Sequence, residues 1–106
     1  MPYAIYILKC SDGIFYTGLT KELEARVHDH KIGAHPESYT FSRRPVELVW
    51  SIVTESYQEA FRWEHRIKGW SRAKKQALIR GDIEGIHKIV ESERKQKERS
   101  KGKSSR

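Results

Sequence analysis

Glu64 sits where an ordinary helix would place an apolar side chain. In the stretch 57–68, Tyr57, Ala60, Phe61 and Ile67 recur with helical spacing and define one apolar stripe. At about 100° per residue, Glu64 falls within roughly 10° of the centre of that stripe. Burying an unpaired charge costs several kcal/mol. An inward carboxylate must therefore be paired, protonated, metal-bound or placed at the mouth of a cleft. The competing reading is an i,i+4 surface pair with Lys68, worth only about 0.3–0.5 kcal/mol. That pair requires the helix to turn away from its own apolar stripe, so the inward reading is preferred.

Two further pairs could do chemistry beside it. Arg26 and His30 are four apart, at the border of a stripe marked by Leu23 and Val27. A guanidinium there can fork onto a phosphate, and an imidazole can donate, accept or move a proton. On spacing alone, a Glu22–Arg26 pair and a satisfied core histidine account for them slightly better. Tyr6 and Tyr16 share a face only if the chain between them turns through the three residues Ser11-Asp12-Gly13, with Gly13 left-handed. That register sets Tyr6 opposite Gly18 and Leu8 opposite Tyr16. The glycine then leaves the Tyr6 ring open on one side, as a pocket floor would need; buttressed core tyrosines are an equal alternative. His28, His30 and His35 do not suggest zinc, since His28 and His30 are two apart on a helix and face different ways.

The elements that must position these residues follow from local pattern. Residues 3–10 (YAIYILKC) and 14–18 (IFYTG) are rich in β-branched and aromatic residues and read as a hairpin. Both faces of the first strand are apolar, which predicts cover on both sides. Residues 21–32 read as a helix capped by Thr20, 33–45 as a loop and 46–54 as a third strand with Trp50 in the core. Ser56 and Glu59 make a capping box for a helix over 57–68 that stops at Gly69. Ser71 caps a further helix over 72–80 ending at Gly81, and Asp82 opens another through Val90. The order β-β-α-β-α-α(-α) predicts an α+β domain with a small three-stranded antiparallel sheet flanked by helices.

Composition bounds the rest. The 106 residues carry 21 Lys+Arg against 14 Asp+Glu, a net charge of +7. All 39 hydrophobic residues fall within 1–90, whereas 91–106 hold seven basic and three acidic side chains. This predicts one domain over 1–90 and a basic, fraying or disordered tail over 91–106. Cys10 alone excludes an internal disulfide and a multi-cysteine zinc site. No apolar run approaches the ~20 residues of a membrane span. The start MPYAIYILKCSDG lacks a basic leader and cleavage site, so a cytoplasmic protein without membrane contact is expected. A basic domain of this kind takes a polyanion as partner.

Together these residues resemble the GIY-YIG endonuclease superfamily. Ala4-Ile5-Tyr6 stands where the family has Gly-Ile-Tyr, and Tyr16-Thr17-Gly18 stands ten residues on, where it has Tyr-Ile-Gly. Arg26-x-x-x-His30 matches the family's following helix, and Glu64 its lone metal-binding glutamate. The segment Ile67-Lys68-Gly69-Trp70-Ser71 is similar to the small stand-alone bacterial branch (YhbQ/YazA-like). The resemblance covers about residues 2–80. It departs at Ala4, which replaces a glycine, and at the asparagine that better-studied family nucleases carry after the glutamate helix. This chain contains no asparagine.

The resemblance implies a nuclease that hydrolyses nucleic-acid phosphodiester bonds, with a role in DNA repair or recombination. It implies one divalent cation, Mg2+ or Mn2+, on Glu64, with Arg26 stabilising the transition state. It also implies Tyr6 as base toward the attacking water, His30 lowering the phenol's pKa or relaying its proton, and Tyr16 orienting water or phosphate. Binding falls to the basic segment 62–75, with Arg62, Arg66, Lys68, Arg72, Lys74 and Lys75, and to Arg43 and Arg44 in the loop. Trp63 or Trp70 is placed to stack on an unpaired base. DNA is a more natural partner than RNA, and a protein partner supplying specificity is a further expectation; oligomeric state stays open. The rival reading is a non-catalytic basic module that binds DNA or structured RNA.

Overall fold

The computed structural model describes residues 2–88, 91, 92 and 94. Three antiparallel strands, β1 (Tyr3–Lys9), β2 (Phe15–Thr20) and β3 (Glu47–Thr54), lie in the order β2-β1-β3. The helices are α1 (Leu23–Ile32), α2 (Tyr57–Lys68) and α3 (Arg72–Arg80), and residues 83–88 are also helical. The fold is the α+β arrangement expected. It divides into two compact units, Met1–Trp70 and Ser71–Arg106. The first holds the whole sheet with α1 and α2. The expected tail over 91–106, apart from 91, 92 and 94, lies outside the described residues, as does the end of the helix expected to reach Val90.

The hairpin register is the one that the glycine position demands. Gly13 has φ +84°, a conformation that costs an L side chain, and its N–H donates to the Cys10 carbonyl. Asp12 Oδ1 accepts from Ile14 N at 3.1 Å and closes the turn. Tyr6 therefore pairs with Gly18, and Leu8 with Tyr16.

β1 is central, so it is covered on both faces. Tyr6, Leu8 and Cys10 pack with Val46 and Val27, and Tyr16 and Leu23 close over them; α1 covers this face. Alternation sends Tyr3, Ile5 and Ile7 to the other face. There α2 lies across the sheet, with the Tyr57 ring 5.4 Å from that of Tyr3. A bulge between Ile7 and Leu8 shifts the β1–β3 register, so Ile7 faces Trp50 while Leu8 faces Leu48.

Three local expectations are corrected. Thr20 does not cap α1: it ends β2, its Oγ1 accepts from Glu22 N at 3.0 Å, and Glu22 takes the cap position without a side-chain bond. Trp50 is half-buried rather than core. On α2, Tyr57 and Phe61 are 52% and 46% exposed, whereas Ala60 and Ile67 are buried. The inner line of α2 is thus Ala60, Glu64 and Ile67. Its two aromatics ride at the border, Tyr57 edge to ring with Tyr3 and Phe61 stacked on His65. The Ser56 cap on Glu59 N and the stop at Gly69 stand as expected.

Candidate active site

Gly18 makes room for the central side chain of the site. A Cβ on Gly18 would lie 2.3 Å from both Cζ and Oη of Tyr6, so the phenol crosses β2 where no side chain stands. The ring is not left open on that side, as the sequence suggested, because it fills the space itself and is only 1% exposed.

The other members converge on that phenol. His30, four residues from Arg26 on α1, places Nε2 3.0 Å from Tyr6 Oη. Its Nδ1 is 2.7 Å from Thr40 Oγ1, which is in turn 3.2 Å from Ser38 Oγ. Arg26, on the same helix, brings its positive charge to bear on the Tyr6 phenol. The Tyr16 ring lies 6.4 Å from that of Tyr6 and 5.3 Å from that of His30. His30 is therefore a satisfied histidine, and the group that satisfies it is the phenol in question.

Glu64 comes in from α2. Its side chain is 14% exposed, and its charge is felt at the Tyr6 hydroxyl. It borders a cleft of about 390 Å³ shared with Thr20, Lys21, Tyr57 and Phe61. Both readings of the residue meet here, since Lys68 Nζ lies 3.5 Å from Glu64 Oε1. Lys68 is 53% exposed, so this pair contributes little and does not account for the carboxylate's inward position. Among the described residues no group of three or more His, Cys, Asp or Glu is arranged to hold a metal. A hard cation bound by one carboxylate, with waters and phosphate oxygens for the rest, still fits this donor set.

Burial decides the protonation of the centre. It pushes the Tyr6 phenol above its ordinary value of 10, and Arg26 beside it only partly offsets this. The phenol's pKa is thus raised rather than lowered, and of the two roles expected of His30 the proton relay remains. Burial also pushes His30 below 6.5, and the Arg26 charge adds to that. At neutral pH the pair is a neutral phenol against a neutral imidazole.

The sign of the pH effect on stability follows. An unfolded His30 takes up a proton near pH 6.5 and the folded one resists it, so its contribution is complete above 6.5 and is lost as pH falls below. Tyr6 acts oppositely: its contribution is complete below pH 10 and is lost as pH rises above. Melting temperatures between pH 7 and 5 are expected to fall for the wild type with a component that His30→Gln removes. Identical slopes for the two would contradict the burial of a neutral imidazole.

The basic residues are placed less uniformly than expected. Arg43 is engaged: Nη1 lies 3.0 Å from Asp12 Oδ2, and the guanidinium stacks on Tyr39 at 4.3 Å. Tyr39 in turn stacks on Tyr16, 6.1 Å between centroids, so this loop closes over the site. Arg44 lies over Phe41 and donates to its carbonyl. Arg62 and Arg66 are exposed on the outer side of α2 beside Trp63, with Arg66 over its ring. The segment 62–75 does not stay within one unit. Trp70 ends the first, half-buried, whereas Arg72, Lys74 and Lys75 belong to the second, where burial pushes the Lys75 ammonium below its usual value.

Sequence reasoning missed Thr40, Ser38 and Tyr39, which stand in an irregular loop where no periodicity marks an inward residue.

Residues 2–77 match the family described as the GIY-YIG catalytic domain. The chain belongs to the GIY-YIG family. UPF0213 proteins from Staphylococcus aureus strains Mu50 and N315 are 46% identical to it over 76 residues, covering 72% of this chain and 92% of theirs. The solution NMR structure of the UPF0213 protein BH0048 from Bacillus halodurans matches with a TM-score of 0.50 and 40% identity. That match covers 74% of this chain and 83% of the other. A GIY-YIG domain is a nuclease-family domain, and Tyr6, Tyr16, Gly18, Arg26, His30 and Glu64 all fall within the matched span.

Proposed function

We propose that this GIY-YIG domain hydrolyses nucleic-acid phosphodiester bonds with the help of one divalent cation, Mg2+ or Mn2+, held by Glu64. The observation that carries the reading is the inward Glu64 carboxylate within electrostatic reach of a phenol that is bonded to His30 and feels the Arg26 charge. A bound cation of this kind supplies positive charge at the leaving oxygen. Arg26 neutralises charge on the phosphorane-like transition state. Tyr6 takes a proton from the attacking water, and its burial makes His30 rather than bulk solvent the receiver of its own proton. Tyr16 orients the water or phosphate. Arg62 and Arg66 supply sequence-independent phosphate contacts, strong at low salt and steeply weakened as salt rises. DNA is the proposed substrate, in repair or recombination, and a protein partner would supply what selectivity the chain lacks.

A second reading, a basic module without catalysis, is favoured by the Glu64–Lys68 pair and by the missing asparagine. Supercoiled plasmid separates the two. The enzyme converts it to nicked circles with Mg2+ or Mn2+ and stops when the metal is chelated. Metal-insensitive retardation without nicking supports the binder and contradicts hydrolysis.

A further inference from the structure

Thr40 occupies the cap position of the 3-10 turn Phe41–Arg43, yet its hydroxyl makes no capping bond. A threonine there ordinarily accepts from a backbone N–H of the turn it opens. Here the side chain is fully buried and turned instead onto His30 Nδ1 at 2.7 Å, with Ser38 Oγ at 3.2 Å. A hydroxyl both donates and accepts, so these contacts alone permit either imidazole tautomer.

The far end of the chain removes the ambiguity. A phenol that takes a proton from the attacking water must pass its own proton on, and the His30 imidazole is bonded to it. The receiving atom is Nε2 at 3.0 Å, which must therefore be bare. The ring proton consequently sits on Nδ1 and is donated to Thr40, whose own proton goes to Ser38.

We infer that Thr40 is the positioning residue that holds His30 in its Nδ1–H form, with Nε2 open to receive the Tyr6 proton. The inference rests on the hydrolytic reading. As water attacks phosphorus, its O–H bond breaks and the proton passes to Tyr6 Oη, while the ester P–O bond breaks and the leaving oxygen departs with its electron pair and is protonated by solvent. The phenol's own O–H bond breaks and that proton bonds to Nε2. The resulting imidazolium still donates from Nδ1 to Thr40, and it releases the extra proton to solvent after the product leaves. Thr40 touches neither substrate nor metal.

Two variants of the full chain, Thr40→Ser and Thr40→Val, test this by the 15N signals of the His30 ring and by steady-state nicking. The expected wild-type signature is Nδ1–H with Nε2 unprotonated. Thr40→Ser keeps that signature and nicks within about threefold of wild type. Thr40→Val loses the Nδ1–H preference, and kcat falls by about 10–100-fold with KM little changed, the usual cost of removing a group that orients a working histidine. An Nε2–H tautomer in the wild type overturns the inference, as does full kcat in a folded Thr40→Val. Should Thr40→Val not fold, the wild-type and Thr40→Ser signatures decide. A wild type that shows the Nδ1–H signature but never nicks supports the positioning role and defeats only the hydrolytic reading.

Discussion

Glu64→Gln is expected to lower metal-dependent nicking by roughly 10³-fold or more, since a coordinating carboxylate anchors several kcal/mol of transition-state charge stabilisation. The same substitution is expected to leave folding almost untouched. Glutamine fills the same volume, and among the described residues the ion pair lost is the one to the exposed Lys68. Thermal melting should therefore stay within about 0.5 kcal/mol of wild type, and retardation of DNA at low salt should persist because Arg62 and Arg66 are unchanged. Nicking at the wild-type rate by this variant would remove Glu64 from the chemistry and contradict the metal site assigned to it.

Gly18→Ala has the largest expected effect on the fold. Its Cβ would overlap Tyr6 at Cζ, Oη and Cε1. The phenol cannot swing aside, because its ring is rigid, fully buried and bonded to His30 at the far end. Overpacking of this kind costs about 1–3 kcal/mol, and breaking a buried hydrogen bond adds a comparable amount. A loss of about 2–4 kcal/mol is expected, which for a domain of this size lowers Tm by roughly 10–20 °C. Nicking should fall with it even below the melting transition, since the displaced phenol loses its alignment with His30. Urea denaturation checks the prediction, and a change below about 0.5 kcal/mol would contradict the packing described.

The parts of this site that repeat with a period were legible in the amino-acid order. Alternation in β1 and a glycine that only a three-residue turn accommodates put Tyr6 and Tyr16 on one face, as found. The 3.6-residue rhythm of α2 exposed Glu64 as a charge on the wrong side. That rhythm misled about Tyr57 and Phe61, because large aromatics at the border of a helix can settle against the end of a strand, here Tyr3, or against their own helix, here His65, and stay half-exposed. Thr40 was invisible for a different reason. It lies in a loop, where what buries a side chain is contact with a distant element, here His30 ten residues away in sequence. The direction of the Tyr6 shift was equally out of reach, since it depends on desolvation outweighing a nearby cation, and the extent of burial appears only when the strands are assembled.

The site at Glu64 is tested most directly by adding Mn2+ in small amounts to the 15N-labelled protein and following paramagnetic broadening residue by residue. Signals of Glu64 and of the residues bordering its cleft, Thr20, Lys21 and Phe61, should broaden first. Excess Mg2+ should restore them, and Glu64→Gln should abolish the effect. Broadening centred on the exposed carboxylates Glu22, Glu37 or Glu59, with Glu64 and its neighbours left sharp, would contradict the account.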